Sequence, residues 1–261
     1  MNRVSGHSLL APLAALWLLW AFPAAGAGAL TLAVANSTCD TIQQVGARFR
    51  THHHAVDITY ICKSSGLLAK GLRGGAIAAD IYISASRPWM DFMIESGLVT
   101  PEAVTNPWGN SLVVAKPLNS GLELRDWQAL ASDTVGTILI GDPSTAPFGR
   151  YAKQALQSTG LWEQVRPKIE TRKHITLLAG SLAAADERTV GILFLSNVAN
   201  DLRTVYSVQR DWHEPIRYFL APVGDAGERA EVEAFIAFLQ APAAREIFLA
   251  AGFELTPPGT P

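Results

Sequence analysis

Two serines stand where predicted strands give way to helices. Ser37 follows the apolar run of residues 30–35, and Ser65 follows the alternating run of residues 56–62. A Gly/Asp/Pro/Ser cluster at residues 141–147 precedes a further predicted helix. In doubly wound sheets, ligands bind beyond the carboxyl ends of the strands, where helix N-termini offer free N–H groups and a partial positive charge. These hydroxyls and helix starts predict a site that holds an anion without lysine or arginine.

The same serines have a simpler interpretation as helix N-caps. Serine is a preferred N-cap residue, and Ser37 with Asp40 three positions later approximates a capping box. Capping explains each serine taken singly, whereas the repetition of the arrangement favours an oxyanion site. From the sequence, both interpretations stay open.

The chain lacks the motifs of several enzyme classes. There is no GxSxG nucleophile elbow, no GxxxxGK[ST] phosphate loop and no HExxH motif, and residues 71–75 (GLRGG) do not have dinucleotide-binding spacing. We therefore expect a protein that is not an enzyme and holds no cofactor. A secreted hydrolase with Ser37 or Ser65 as nucleophile is a remote alternative, because no histidine lies near either serine in a motif.

The histidines do not form a metal-binding pattern. His52, His53 and His54 are adjacent, so their side chains point in different directions on a helix, and we interpret them as solvated surface. His174 stands one residue before a predicted helix, which favours a surface or capping role over a catalytic one.

The composition is that of a globular protein. Of 261 residues, 49% are hydrophobic and 17% charged, and this length suits one large or two modest domains. The 21 Lys and Arg oppose 23 Asp and Glu, so the formal net charge is -2. Because no overall positive field favours nucleic acid or an anionic membrane, we expect neither as a partner.

Residues 1–29 have the order of a secretory signal peptide. Arg3 supplies a positive start, residues 9–22 form an uncharged apolar run, and small residues follow at 25–29. The run is shorter than the roughly 20 residues that a membrane-spanning helix needs, which disfavours the alternative of a membrane anchor. We expect cleavage after Ala27 or Ala29 and a periplasmic mature protein.

Cys39 and Cys62 are the only cysteines. Export to an oxidising compartment permits a disulfide, and no CxxC or Cys/His metal pattern is present. A disulfide and two buried free thiols are both compatible with this pair.

Short apolar runs alternate with amphipathic stretches, which is typical of an α/β protein with largely parallel sheets. Strands are predicted at residues 30–35, 56–62, 81–85, 112–115, 135–140, 190–195 and 217–223. A turn at residues 107–110 marks a crossing into a second lobe. We expect lobe 1 at residues 30–110 and 216–261, and lobe 2 at residues 111–215.

Six segments together resemble the periplasmic molybdate-binding proteins of ABC importers. They are LTLAVANST (30–38), KSSGLLAKGL (63–72), ADIYISASRPWMD (79–91), GNSLVVAKP (109–117), IGDPSTAPFGRYAKQAL (140–156) and APAAREIFLAAGF (241–253). The resemblance implies a two-lobe type II solute-binding fold, in which each lobe is a mostly parallel sheet flanked by helices and the ligand cleft lies between the lobes. It also implies capture of molybdate or tungstate and delivery to an ABC permease, by a protein we expect to be a monomer.

The resemblance also assigns ligand positions. The two serines of the family match Ser37 and Ser65. Backbone N–H donors are implied at Phe148, in the turn before one helix, and at Ile175, at the start of another.

One family position differs in this chain. The family often carries a tyrosine hydroxyl late in the second lobe, and the matching residue here is Phe194. Loss of that donor leaves open the same fold with a different solute, namely sulfate, thiosulfate or a small acid. Asn36 is a candidate for a substitute donor.

Overall fold

The computed structural model describes residues 28–256, which contain two β-sheets flanked by helices. The predicted leader, residues 1–29, lies outside the described residues except for Gly28 and Ala29. These two residues belong to the first strand and pair with Val56 and Asp57.

The first sheet has six strands in the spatial order β11-β4-β10-β3-β1-β2. They are β1 (Gly28–Ala35), β2 (Val56–Lys63), β3 (Ile81–Ser84), β4 (Thr105–Gly109), β10 (Arg217–Pro222) and β11 (Glu254–Leu255). We call this sheet and its helices lobe 1.

The second sheet has five strands in the order β7-β6-β8-β5-β9. They are β5 (Leu112–Pro117), β6 (Thr137–Gly141), β7 (Ile169–Arg172), β8 (Thr189–Phe194) and β9 (Leu202–Ser207). This sheet and its helices are lobe 2. The chain passes between the sheets at residues 110–111 and 208–216, and the lobe boundaries given above stay predictions.

Eight α-helices flank the sheets within residues 28–256. They are α1 (Cys39–Arg50), α2 (Ser65–Arg73), α3 (Arg87–Glu95), α4 (Pro147–Ser158), α5 (Trp162–Val165), α6 (Ile175–Ala183), α7 (Ala230–Leu239) and α8 (Pro242–Ala250). The predicted apolar face of α1 is confirmed, since Ile42, Val45 and Phe49 have no exposed area. Burial of such a stripe against a sheet holds an amphipathic helix in place.

The α/β fold class is confirmed, but the prediction of mostly parallel sheets is wrong in detail. Both sheets are mixed: β1 pairs in parallel with β2 and β3, whereas β10 runs antiparallel to β3 and β4. In the second sheet β5 is antiparallel to both β8 and β9. The reason is that a strand which enters a lobe from the other one runs opposite to the strands built by strand–helix–strand units.

Strand β4 replaces part of the predicted turn at residues 107–110. Proline is disfavoured in a strand because it has no N–H to donate. Here the pairing of β4 with β10 shifts register between Tyr218 and Leu220, an irregularity opposite the segment that contains Pro107. The Pro107 carbonyl still accepts a hydrogen bond from the Thr256 N–H. The irregularity accommodates the proline.

Cys39 and Cys62 form a disulfide, which decides between the two possibilities left by the sequence. Cys39 is the first residue of α1, and Cys62 lies near the end of β2. The bridge therefore joins the segments that carry Ser37 and Ser65.

None of the helices within residues 28–256 combines the length and the apolar character required to cross a bilayer.

Reduction of the disulfide is expected to destabilise the folded protein. The two cysteines are 23 positions apart, and closing a loop of this size in the unfolded chain corresponds to about 3 kcal/mol. For a domain of this size the Tm should fall by on the order of 10 °C. Calorimetry with and without dithiothreitol measures the change. The double variant Cys39→Ala/Cys62→Ala should match the reduced protein and be insensitive to reductant; an unchanged Tm in both would contradict the expectation.

Candidate functional site

Four of the five predicted site residues line one small cavity between the lobes. The cavity has a volume of about 10 Å³, the scale of a single water molecule. Its lining consists of Ala35, Asn36, Ser37, Ser64, Ser65, Pro147, Phe148, His174 and Ile175. Phe194 is not in this lining. Segments far apart in sequence thus meet at one point, and both lobes contribute.

Ser37 lies in a 3-10 helix, Asn36–Thr38, directly after β1. Its Oγ accepts a hydrogen bond of 2.8 Å from the hydroxyl of Tyr218. The capping-box interpretation is wrong for this serine, because α1 has Thr38 as its N-cap and no side-chain capping bond. Within residues 28–256 the Ser37 O–H donates to no protein atom, so its hydrogen is free for a ligand.

Ser65 is the first residue of α2 and is completely buried. Its Oγ accepts a hydrogen bond of 3.1 Å from the N–H of Ala85, and its carbonyl accepts one of 2.9 Å from the hydroxyl of Tyr82. No side chain caps α2. Ser65 therefore has the same arrangement as Ser37: a protein donor occupies the oxygen, and the hydroxyl hydrogen has no acceptor among the described residues.

Helix α4 brings Phe148, in its first turn, to the cavity from lobe 2. Pro147 occupies the first turn, where its missing N–H has no consequence, and the first N–H groups of a helix have no acceptor within it. No hydrogen bond is made by the Phe148 N–H within the described chain. The backbone donor predicted here is thus free.

Asp142 organises the loop that leads into α4. Its Oδ1 accepts hydrogen bonds from the N–H and the hydroxyl of Ser144, at 2.9 and 2.7 Å, and its Oδ2 accepts one from Thr145. Burial alone raises the pKa of Asp142, but the hydrogen bonds from Ser144 and Thr145 outweigh this effect, so the pKa lies below its ordinary value. The ionised carboxylate holds the loop in the conformation that places Phe148.

Helix α6 begins with Ile175, which lines the cavity from lobe 2. The N-cap is His174, whose Nδ1 accepts a hydrogen bond of 3.2 Å from the N–H of Leu177. The capping role expected for His174 is confirmed. Its ring also lines the cavity, a position that the sequence pattern did not indicate.

The electrostatics of the cavity come from dipoles. Helices α2, α4 and α6 all begin at it, and each helix N-terminus carries a partial positive charge that favours an anion by about 0.3 to 1 kcal/mol, or up to about 2 when partly buried. Its lining contains no Lys, Arg, Asp or Glu. The arrangement is a neutral cluster of hydrogen-bond donors.

The two lobes contact each other directly around this site. The N–H of Gly66, in α2, donates to the carbonyl of Thr145 across the cleft at 3.3 Å. The hydroxyl of Tyr151, in α4, donates to the Ala85 carbonyl at 3.4 Å. These contacts define a closed conformation.

Phe194 lies behind the cavity, in an aromatic cluster. Its ring centroid is 6.1 Å from those of Phe148 and Tyr151, and 6.2 Å from that of Tyr218. The side chain has no exposed area. Phe194 thus supports the wall of the cavity and offers no polar atom to it.

Ser64 and Tyr218 are site features that sequence reasoning missed. Ser64 lines the cavity, and its Oγ is buried without a hydrogen-bond partner within residues 28–256. A buried hydroxyl without a partner is unusual and calls for an explanation. The serine doublet at 64–65 was a visible signal for Ser64, whereas nothing near Ser37 in sequence pointed to Tyr218.

The arrangement does not match a hydrolase or a metal centre. Neither serine is hydrogen-bonded to a histidine in the described chain, and the Nδ1 of His174 is engaged by its own helix. No group of three or more His, Cys, Asp or Glu within residues 28–256 could hold a metal ion. His52 and His54 are exposed, as the surface interpretation expects, whereas His53 is partly buried because its ring stacks on Phe49 at 3.9 Å.

Two α/β lobes that close over a small cavity lined by neutral donors define a solute-binding protein. Residues 30–254 match the family described as bacterial extracellular solute-binding protein, and the chain belongs to this family. It is 31% identical over 238 residues to the molybdate-binding protein ModA of Escherichia coli K12, covering 87% of this chain and 90% of that protein. The family resemblance expected from the six segments is confirmed.

Solved structures show the same fold. The periplasmic molybdate-binding protein of Azotobacter vinelandii superposes with a TM-score of 0.77 at 21% identity, covering 87% of this chain and 100% of that one. The sulfate-binding protein SubI of Mycobacterium tuberculosis superposes with a TM-score of 0.75 at 13% identity, covering 88% of each chain. At these identities the comparison establishes the architecture alone.

Two neighbouring serines should differ in their effect on the unliganded protein. Ser65→Ala removes the acceptor of the buried Ala85 N–H and should lower the free energy of unfolding by about 1 to 3 kcal/mol. Ser64→Ala removes a hydroxyl without a partner and should change it by less than about 0.5 kcal/mol. Urea denaturation of the two variants measures both values, and equal losses would contradict this assignment of hydrogen bonds.

Proposed function

We propose that this protein captures molybdate or tungstate outside the cytoplasm and delivers it to the permease of an ABC importer. The observation that carries the proposal is the paired arrangement at Ser37 and Ser65. Each Oγ accepts a hydrogen bond from the protein, and neither hydroxyl hydrogen has an acceptor among the described residues, so both hydrogens are available to a ligand. A cavity with several unused donors suits an anion.

The proposed ligand set is formed by both lobes. Lobe 1 supplies the hydroxyls of Ser37 and Ser65, and lobe 2 supplies the N–H groups of Phe148 and Ile175. Hydrogen bonds to a charged acceptor contribute about 1.5 to 3 kcal/mol each, so four of them compensate for much of the lost hydration of the anion. A cavity of about 10 Å³ is far too small for a sugar or a peptide, and it must widen to admit even a compact tetrahedral ion.

Two residues of the cavity lining are candidates to replace the hydroxyl that Phe194 lacks. The buried hydroxyl of Ser64 has no protein partner and is the stronger candidate, and the amide of Asn36 is the other. Either would replace one hydrogen bond of the tyrosine found in similar proteins.

The choice of molybdate over sulfate rests on the sequence similarity. The relative named as a molybdate-binding protein is 31% identical over most of the chain, whereas the sulfate-binding neighbour shares only 13% identity and supports the fold alone. Sulfate, thiosulfate and small acids are therefore the second candidates, within the same fold and the same site.

Transport without catalysis fits the remaining observations. No serine in the site is paired with a histidine in the described chain, so we propose that the protein is not an enzyme and needs no cofactor. Lobe closure around the two crossings would bury the anion, and the permease would select the closed form. We propose export by the leader at residues 1–29, a periplasmic location and a monomeric state, with no nucleic-acid partner.

Isothermal titration with sodium molybdate, tungstate and sulfate tests the ligand. We expect heat with the first two and an increase in Tm with either, because a ligand that binds only the folded state stabilises it.

Ser37→Ala should weaken molybdate binding at least about tenfold, the loss of one charge-assisted hydrogen bond. Ser96→Ala removes a hydroxyl that donates to a helix carbonyl away from the site and serves as the control. Heat with sulfate alone would favour the second candidate.

Closure is tested at Gly66, where the lobes meet. A Cβ there would lie 3.1 Å from the Thr145 carbonyl of lobe 2 and 2.6 Å from the Trp89 ring. Gly66→Ala should disfavour the closed form and weaken molybdate binding about tenfold. The control is Gly180→Ala in α6, where a Cβ meets nothing within 4 Å. Equal affinities of the two variants would show that this contact does not limit closure.

A further inference from the structure

A second cavity lies at the two crossings between the lobes. Its lining comes from residues 109–113 around the first crossing, from several residues of the segment 207–217 at the second, from Leu195 and from residues 254–256. Its volume is about 620 Å³, within the range of small-molecule sites, and it shares no lining residue with the small cavity that Ser37 and Ser65 line. We call it the crossing cavity.

The crossing cavity contains an arginine without a counter-charge. Arg217, at the start of β10, is half-buried and makes no ion pair within residues 28–256. Its Nη1 is buried and has no hydrogen-bond partner in the same part of the chain. Removing a charge from water is unfavourable unless the charge is paired. Arg217 therefore offers a positive charge for which the described chain supplies no anion.

The other charged groups of the lining do not cancel Arg217. Arg210 and Glu254 neutralise each other in an ion pair of 2.6 Å, and the Glu254 carboxylate also accepts a hydrogen bond from the hydroxyl of Ser111. His213 carries no charge at neutral pH, because burial lowers its pKa below the ordinary value. The lining thus has one net positive charge, which belongs to Arg217.

Part of the wall of the crossing cavity is apolar. Leu195 is 40% exposed although it lines the cavity, which is unusual for a large aliphatic side chain beside a core. Four further apolar residues share this wall, namely Leu112, Val113, Ile216 and Leu255. An inorganic oxyanion would leave their surface in water, whereas the carbon skeleton of an organic acid would cover it.

We propose that the crossing cavity is a second ligand site, which takes a small organic carboxylate with an apolar body. The carboxylate would pair with Arg217, since a planar guanidinium can donate two parallel hydrogen bonds to it, and the body would lie against the apolar wall. One net positive charge matches a monocarboxylate better than a doubly charged phosphate, which Glu254 would repel.

Occupancy of the crossing cavity should be linked to closure of the lobes. Its walls belong to both lobes and to both crossings, and the contacts of Gly66 and Tyr151 across the cleft define the conformation described here as closed. Opening changes the relative positions of these walls, so a ligand that fits them here favours the closed form. The carboxylate and molybdate should then strengthen each other's binding by the same factor. This consequence rests on the proposed function of the small cavity.

Sodium benzoate and benzamide test the site, because they share an apolar ring and differ in charge. In NMR titrations of the unmodified protein, benzoate should bind about tenfold more tightly than benzamide. Arg217→Gln should weaken benzoate binding about tenfold and leave benzamide binding unchanged. The control is Arg245→Gln, which removes an exposed arginine of α8 outside the cavity lining and should change neither.

Glu254→Gln should change the affinity in the opposite direction. It removes the negative charge of the lining and keeps an acceptor for the Ser111 hydroxyl, so benzoate should bind about threefold more tightly while benzamide is unaffected. This variant also decides the question if Arg217→Gln does not fold.

The link to closure is measured with both ligands present. Saturating benzoate should tighten molybdate binding about threefold, molybdate should tighten benzoate binding by the same factor, and Arg217→Gln should abolish the effect. Affinities that do not depend on each other, in a protein that binds both ligands, would contradict the link.

Three results would overturn the site itself. These are absence of benzoate binding to the unmodified protein, equal affinities for benzoate and benzamide, and equal losses in Arg217→Gln and Arg245→Gln. Loss of benzoate binding in Ser37→Ala would place the carboxylate in the small cavity and would overturn it as well. The benzoate titrations do not involve molybdate: if benzoate binds as expected and no oxyanion does, the proposed function fails and the crossing site stands.

Discussion

The site depends on two hydroxyl hydrogens that no protein atom among the described residues uses. Ser37 and Ser65 each present an oxygen that is already occupied by a protein donor, Tyr218 in one case and the Ala85 N–H in the other. Taking an anion out of water is strongly unfavourable unless the cavity supplies donors that are already oriented. A serine free to rotate would lose part of its contribution in becoming ordered. The accepted bonds restrict the rotation of both serines, and no acceptor among the described residues takes their hydrogens, so these remain for the ligand.

The scaffold around the serines keeps them in register. Strands β1 and β2 are parallel neighbours, so Ser37 and Ser65 follow their carboxyl ends at the same edge of the sheet. The disulfide between Cys39 and Cys62 links the two segments that carry these serines. From lobe 2, α4 and α6 bring their first N–H groups to the same point. The chain crosses twice between the lobes, and each crossing leads into a strand that pairs antiparallel with its neighbours. These crossings allow the two lobes to face each other across the cavity, and they make both sheets mixed.

Much of the site could be predicted from local sequence, and the part that could not depends on distant residues. Ser37 and Ser65 were identifiable because each follows an apolar strand and precedes an amphipathic helix, whereas the donors at Phe148 and Ile175 were implied by the family resemblance. That Ser37 is not a cap could not be seen locally, because the N-cap of α1 is Thr38. The Oγ of Ser37 instead accepts from Tyr218, which is 181 positions away and reaches it through the pairing of β10 with β3. Antiparallel pairing of this kind leaves no periodic signal beyond that of a strand, which is also why the sheets were expected to be parallel.

The neutrality of the lining has a consequence for release. A lysine or arginine in the cavity would attract an anion through a field that decays slowly with distance, and it would continue to hold the anion as the lobes separate. Hydrogen bonds weaken steeply as the donor angle departs from linearity, and they are no longer made once the heavy atoms are more than about 3.5 Å apart. With two hydroxyls on lobe 1 and two N–H groups on lobe 2, a small opening breaks half of the proposed set at once. His174 is the one titratable side chain of the lining, and the Nδ1 of its ring is engaged in capping α6. Affinity is therefore controlled by the separation of the lobes, which is the variable that a permease can change by binding their surfaces.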